Sequence, residues 1–277
     1  MARTPVLVKL TPNITDIRAV ARAAKKGGAD GLSAINTINS STGIDLDTLT
    51  PRPDVGGRSA HGGYCGPAVK PIALHLVQQI TGESGALPVS GIGGVATWRD
   101  AAEFILLGCQ SVQVCTAAMH HGFRIVEDMI DGLSNWMDEK GFRTIEDFRG
   151  LSLPKMTDWG KLDLNYKIVA RIDEAKCIGC DLCYIACWDG AHQCIHVEGY
   201  KNPEDLVAHS RQVIAQTPSA AAVDSSVTPR VRIPRVDEHE CVGCNLCWLV
   251  CPVEQCITME RVDTGKPSQT WAERAGS

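Results

Sequence analysis

Cys177-Ile178-Gly179-Cys180-Asp181-Leu182-Cys183-Tyr184-Ile185-Ala186-Cys187 and Cys241-Val242-Gly243-Cys244-Asn245-Leu246-Cys247-Trp248-Leu249-Val250-Cys251-Pro252 carry one spacing: three cysteines with two residues between neighbours, then a fourth after three more. A loop with three thiolates so spaced wraps one 4Fe-4S cubane, while the fourth cysteine points at a second one. The spacing assigns Cys177, Cys180, Cys183 and Cys251 to one cluster and Cys241, Cys244, Cys247 and Cys187 to the other. Zinc also uses pairs of this kind, but four ligands per ion leave the regular third and fourth cysteines without a reason. Cys187 is followed by Trp188 where the second run has Pro252, a difference at a position that is not a ligand. Cys194 and Cys256 follow the two runs at matching places and are expected to pack beside the clusters rather than bind them.

Outward from these runs, the chain has 277 residues and 13 cysteines, ten of them from Cys177 to Cys256. It is far longer than the secreted scaffolds that rely on disulfides. A composition of 44% hydrophobic and 21% charged residues is that of a globular chain. The net charge of -5 and the lack of a basic stripe argue against nucleic acid as a partner. No apolar run is long enough to span a bilayer and no signal peptide opens the chain, so a cytoplasmic location without membrane contact is expected.

Residues 1–140 alternate short apolar runs with helix-period segments, the pattern of repeated βα units around a parallel sheet. Four units are legible. Val6 to Leu10 is followed by a helix burying Ile17, Val20, Ala21 and Ala24. Gly31 to Ile35 leads through a long polar loop, 36–66, into a helix. Pro88 to Ser90 precedes Gly91-Ile92-Gly93-Gly94 and a third helix, and Ser111 to Val114 leads into a helix from about Ala118 to Lys140. Residues 141–170, with Gly150, Pro154 and Gly160, have no clear period and are expected to be a linker. A second domain is expected over 171–277, with an inserted loop at about 199–234.

Gly62-Gly63-Tyr64-Cys65-Gly66 and Gly91-Ile92-Gly93-Gly94 each precede a helix, where exposed backbone amides can hold an anion. Lys9 lies in an apolar strand and is expected to meet a negative partner. Asn36 and Thr37 stand at a strand end, where barrels keep their ligands. Read singly, tight turns and strand-end solvation explain these residues equally well.

Together, Val8-Lys9-Leu10-Thr11-Pro12-Asn13, Asn36-Thr37, Gly62 to Pro71, Gly91 to Gly94 and Val114-Cys115-Thr116-Ala117 resemble the second half of the FMN barrel of the dihydroorotate dehydrogenase superfamily. With a two-cluster module after the barrel, the order resembles the dihydropyrimidine dehydrogenase family, specifically its bacterial subunit with FMN and Fe-S clusters. The resemblance implies the C-terminal half of a (β/α)8 barrel followed by an α+β bacterial ferredoxin domain with two 4Fe-4S clusters. It implies that Lys9 meets the flavin pyrimidine edge, and that Gly66, Gly93, Gly94, Cys115 and Thr116 cradle the FMN phosphate and ribityl chain. Asn36 and Thr37 would hydrogen-bond a pyrimidine base. The implied reaction is reduction of uracil or thymine to the 5,6-dihydro form, with electrons passing through the clusters to FMN from a separate FAD- and NAD-binding subunit.

In that family Lys9 belongs to the fifth barrel strand. Strands one to four, and the loop bearing the catalytic acid cysteine, are therefore expected upstream of Met1, with the chain a C-terminal fragment or completed by another chain. No catalytic residue is assigned within it. The alternative is an electron-transfer ferredoxin module on a vestigial barrel, without catalysis of its own.

Overall fold

The computed structural model describes residues 4–83, 85–190, 192–197, 211 and 233–276. The chain divides into two compact units, Met1–Thr157 and Asp158–Ser277. Each has an apolar core of its own.

The first unit begins with β1 (Leu7–Leu10), α1 (Ile17–Lys26) and β2 (Gly31–Ala34). Two short antiparallel ribbons follow: β3 (Ile38–Ser40) pairs with β6 (Gly62–Tyr64), and between them β4 (Gly43–Asp45) pairs with β5 (Thr50–Arg52). Then come α2 (Lys70–Thr81), β7 (Val89–Ile92), α3 (Trp98–Leu106), β8 (Ser111–Gln113), α4 (Thr116–His121) and α5 (Ile125–Lys140). The four longer-range strands form one parallel sheet in the order β1-β2-β7-β8. All four residues of β2 are buried, as a central parallel strand requires. Helices cover the sheet with Ile17 and Ala21 from α1, Ala73, Leu76, Val77 and Ile80 from α2, and Phe104 from α3. Gly91 in β7 makes room for Phe104, since a Cβ there would lie 2.5 Å from Phe104 Cδ1 and 2.8 Å from Cys109 Sγ.

An ionic strap joins the starts of α2 and α3. Lys70 Nζ lies 2.6 Å from Asp100 Oδ1 and 2.9 Å from Glu103 Oε2. Asp100 also accepts the backbone N–H of Ala96 at 3.0 Å and of Thr97 at 2.7 Å, while the Thr97 hydroxyl closes a capping box. Burial alone would push the Asp100 carboxyl up; Lys70 and the hydrogen bonds from Ala96 and Thr97 outweigh it and hold it below the usual carboxylate range. The same contact with Asp100 raises Lys70.

Three expectations are corrected here. The stretch 36–66 is not a plain loop but contains the two ribbons. The helix expected from Ala118 to Lys140 is two, α4 and α5, because Gly122 adopts φ 80 between them and breaks the ladder. The first part of the expected linker is packed: Phe148 is fully buried, its ring centroid 5.2 Å from Trp136 and 5.4 Å from Phe142. The N–H groups of Gly150 and Ser152 donate to the carbonyls of Ile105 and Leu106 at the end of α3. Lys9 is exposed on β1, at one edge of the described sheet, and among the described residues it has no ion-pair partner.

The second unit comprises β9 (Lys167–Ile172), α6 (Leu182–Asp189), β10 (Ile195–His196), β11 (Arg235–Val236), α7 (Leu246–Val250), β12 (Ile257–Val262) and α8 (Trp271–Ala275). It is built twice over. β9 pairs antiparallel with β12 and β10 with β11, so the first strand of each half pairs with the last strand of the other. The insertion expected at about 199–234 lies outside the described residues, apart from Arg211, Ile233 and Pro234. Among the described residues no helix is long and apolar enough to cross a membrane.

Asp100→Ala is expected to destabilise the first unit by about 2 kcal/mol, read as a lower urea midpoint with unchanged slope. Because the folded carboxyl titrates below its unfolded value, its contribution is complete above about pH 4 and is lost as pH falls through the lower folded value. The gap between wild type and variant is therefore expected to close at acid pH.

Candidate functional site

The first unit holds a cleft of about 740 Å³ at the carboxyl ends of the parallel strands, the place where sheets of this kind bind ligands. Lys9, Asn36, Thr37, Gly66, Gly93, Gly94, Cys115 and Thr116 all line it. The structure thus brings together every residue that the sequence assigned to the barrel. It adds Ile35, Tyr64, Ile92, Gln113, His120 and His121.

The glycine end is shaped by backbone contacts that no other residue allows. Gly66, with φ 95, precedes the turn Pro67–Val69 that feeds α2. Gly94, with φ 73, is so close that a Cβ would lie 2.8 Å from the Gly66 carbonyl oxygen and 2.8 Å from Lys70 N. Gly93, with φ 138, would place a Cβ 2.6 Å from that of Ala73. The Lys70–Asp100 strap fastens the starts of α2 and α3 beside this glycine pair. The result is a cradle of main chain at two helix starts, which suits a phosphate group.

At the other end polar side chains are held by one another. Asn36 Oδ1 accepts the N–H of Thr37 at 2.9 Å. Asn13 donates to the carbonyl of Thr37 at 3.1 Å and accepts from the N–H of Asn39 at 2.9 Å, so it pins the segment that carries the pair. Gly63 of β6 lies against the Thr37 side chain, where a Cβ would meet Oγ1 at 2.6 Å. Gln113 Nε2 donates to Ser33 Oγ at 2.9 Å and to Ser90 Oγ at 2.8 Å, a polar row across β2, β7 and β8. Its signal in the sequence was a polar residue in an apolar strand, which the glycine motifs overshadowed. Cys65 and Cys115 line the cleft and are exposed, whereas burial pushes the Cys109 thiol up to about 12 and leaves it inert.

Two smaller cavities occupy the second unit. One, of about 310 Å³, is lined by Cys177, Cys180, Cys183, Cys251 and Cys256; the other, of about 320 Å³, by Cys187, Cys194, Cys241, Cys244 and Cys247. Each takes three cysteines from one run and the fourth from the other. The loops that present them repeat in backbone conformation: Gly179 and Gly243 have φ 68 and 70, Asp181 and Asn245 φ 58 and 68, Gln193 and Gln255 φ 50 and 55. Asp173 and Asp237 start the two runs alike, accepting the N–H of Ala175 and of His239 at 2.8 Å through their carboxylates.

The donor set fits iron–sulfur cubanes. Burial pushes the thiols of Cys180 and Cys247 up to about 11 and that of Cys183 well above the usual range. The neighbouring Cys256 thiol lowers Cys177 to about 7 and Cys251 to about 6. Among the described residues neither Lys nor Arg lines either cavity. Thiolates at these positions therefore need the positive charge that iron supplies.

Residues 1–137 match the family described as dihydroorotate dehydrogenase, and residues 176–255 match the 4Fe-4S dicluster domain. The chain is 50% identical over 191 residues to the NAD-dependent dihydropyrimidine dehydrogenase subunit PreA of Escherichia coli (strain K12), a match covering 68% of this chain and 46% of the relative. It is 50% identical over 161 residues to the chloroplastic dihydropyrimidine dehydrogenase (NADP(+)) of Arabidopsis thaliana, covering 56% and 38%. To the dihydroorotate dehydrogenase B (NAD(+)) catalytic subunit of Pyrococcus abyssi it is 44% identical over 149 residues, covering 54% and 48%. The chain spans less than half the length of each of these three relatives. The chain thus joins a segment similar to the dihydroorotate dehydrogenase family, 1–137, to one similar to the 4Fe-4S dicluster domain, 176–255.

Proposed function

We propose that this chain forms part of an NAD-dependent dihydropyrimidine dehydrogenase, an oxidoreductase that reduces uracil or thymine to the 5,6-dihydro base. The observation that carries this reading is the cleft: one end is a glycine cradle for phosphate, the other a set of hydrogen-bonding side chains for a planar polar ring. FMN, when bound, supplies hydride chemistry and the two 4Fe-4S clusters supply single electrons.

The remaining work is done by the chain's own groups. Gly66, Gly93 and Gly94 would hold the phosphate against main-chain amides, with Cys115 and Thr116 along the chain that joins phosphate to ring. Lys9 is an exposed ammonium at the cleft and can neutralise negative charge there without first breaking an ion pair. Asn36 and Thr37 would hydrogen-bond the pyrimidine base, and Asn13 is a positioning residue that keeps the pair in place. Cys65 and Cys115 adjoin the glycine cradle, so neither is assigned the proton-donating role. In the second unit Cys177, Cys180, Cys183 and Cys251 would ligate one cluster, and Cys241, Cys244, Cys247 and Cys187 the other. The partners in this reading are an FAD- and NAD-binding subunit as electron donor and a chain or segment that completes the barrel.

Anaerobically purified protein is expected to contain about eight iron and eight sulfide, with FMN at one per chain once the barrel is complete. Iron and sulfide without FMN, even in the presence of a barrel-completing segment, would leave only the electron-transfer module. Cys177→Ala is expected to remove one cluster's iron while bound flavin absorbance stays; equal loss of both would sink the division of labour between the units. Lys9→Met is expected to lower kcat/KM for the base by at least tenfold, about 1.4 kcal/mol, with iron content unchanged.

A further inference from the structure

Each cysteine cavity has a fifth cysteine that the ligand sets do not use, Cys194 in one and Cys256 in the other. Both are buried, at 4% and 3% exposure. Both follow a glutamine in left-handed conformation and lead directly into a strand, β10 or β12. Their carbonyls are clamped alike: that of Cys194 accepts the N–H of Asp237 at 2.7 Å, and that of Cys256 accepts the N–H of Asp173 at 2.7 Å. A position built twice and fixed by main-chain bonds aims its thiol, whereas ordinary packing would ask only for volume.

The Cys194 thiol is aimed at a ligand sulfur. Cys194 Sγ lies 3.5 Å from Cys187 Sγ, and its own N–H donates to the same sulfur at 3.3 Å. With Cys187 as a thiolate ligand, Cys194 is the only donor in that pair. Cys256 holds the matching position in the other cavity, which it lines with Cys177 and Cys251, and its Sγ lies 3.8 Å from the Asp173 carbonyl oxygen. A cubane has four irons and takes one thiolate on each, and the two runs already provide four per cavity. A hydrogen bond to a ligand sulfur draws charge from the cluster and favours its more negative, reduced state.

We propose that Cys194 and Cys256 are positioning residues for the two clusters, each donating its S–H to a ligand sulfur and thereby raising that cluster's reduction potential. Reduction adds one electron to the cluster; no bond is made or broken and the fifth thiol keeps its proton. The inference rests on the cluster reading of the two cavities.

The test uses the full chain, purified anaerobically as wild type and as Cys194→Ala, Cys256→Ala, Cys194→Ser and Cys256→Ser. Iron and sulfide are assayed, and the midpoints are followed by electron paramagnetic resonance during reductive titration. Each alanine variant is expected to keep wild-type iron and to shift one cluster's one-electron equilibrium about tenfold toward the oxidised form, a fall of ~59 mV. Each serine variant is expected to recover most of that shift, because its hydroxyl still donates. Loss of iron from an alanine variant would make the residue a ligand or a folding requirement and overturn the proposal, as would unmoved midpoints with iron intact. Wild-type protein without iron and sulfide would instead bring down the cluster reading itself, which the first assay distinguishes.

Discussion

A thiolate withdrawn from water needs a positive charge within reach, and the second unit gathers its cysteines where the described residues lining each cavity include neither Lys nor Arg. Sulfur is also most of its core. Val169, Ala170, Ile195, Val253 and Ile257 surround Cys177, Cys183, Cys187, Cys194, Cys241, Cys247 and Cys256, and few larger apolar side chains are buried with them. A unit of this size with so small an apolar core is where a metal centre takes over the role of packed hydrocarbon. The strand pairing β9–β12 and β10–β11, the repeated left-handed residues and the two Asp-capped loops all bring sulfur to the right places around that demand.

The first unit answers to a different constraint. Parallel strands must be covered on their faces, and α1, α2 and α3 do this for the four-stranded sheet, leaving its carboxyl ends to the loops. The glycines at those ends are dictated by crowding: Gly94 against Gly66 and Lys70, Gly93 against Ala73. The Lys70–Asp100 strap then makes a ligand-facing loop part of the load shared by two helices. Rigidity at the cradle and adaptability at the exposed Lys9 coexist in one cleft.

The cysteine runs and the strand–helix alternation were legible because both are short-range. Ligand spacing is fixed by the geometry of one loop, and helix or strand period by neighbouring residues. What was not legible depended on distant parts of the chain. Phe142 and Phe148 show no period of their own and find their place only because Trp136 is presented by α5. The break at Gly122 left the apolar period on both sides readable, so one helix was expected where two exist. Of the cleft residues, Gln113 needed the partner serines of two other strands to acquire meaning.

The exchange of the fourth cysteine between the runs also bears on how the chain matures. Cys177, Cys180 and Cys183 are synthesised long before Cys251, and Cys187 long before Cys241. In the proposed ligand sets, a nascent chain that has not yet reached Cys247 can complete neither, so products terminated before the second run would lack a full set of thiolates. Both proposed centres therefore depend on the last part of the chain to be made: the set that includes Cys187 closes at Cys247 and the set that begins with Cys177 only at Cys251.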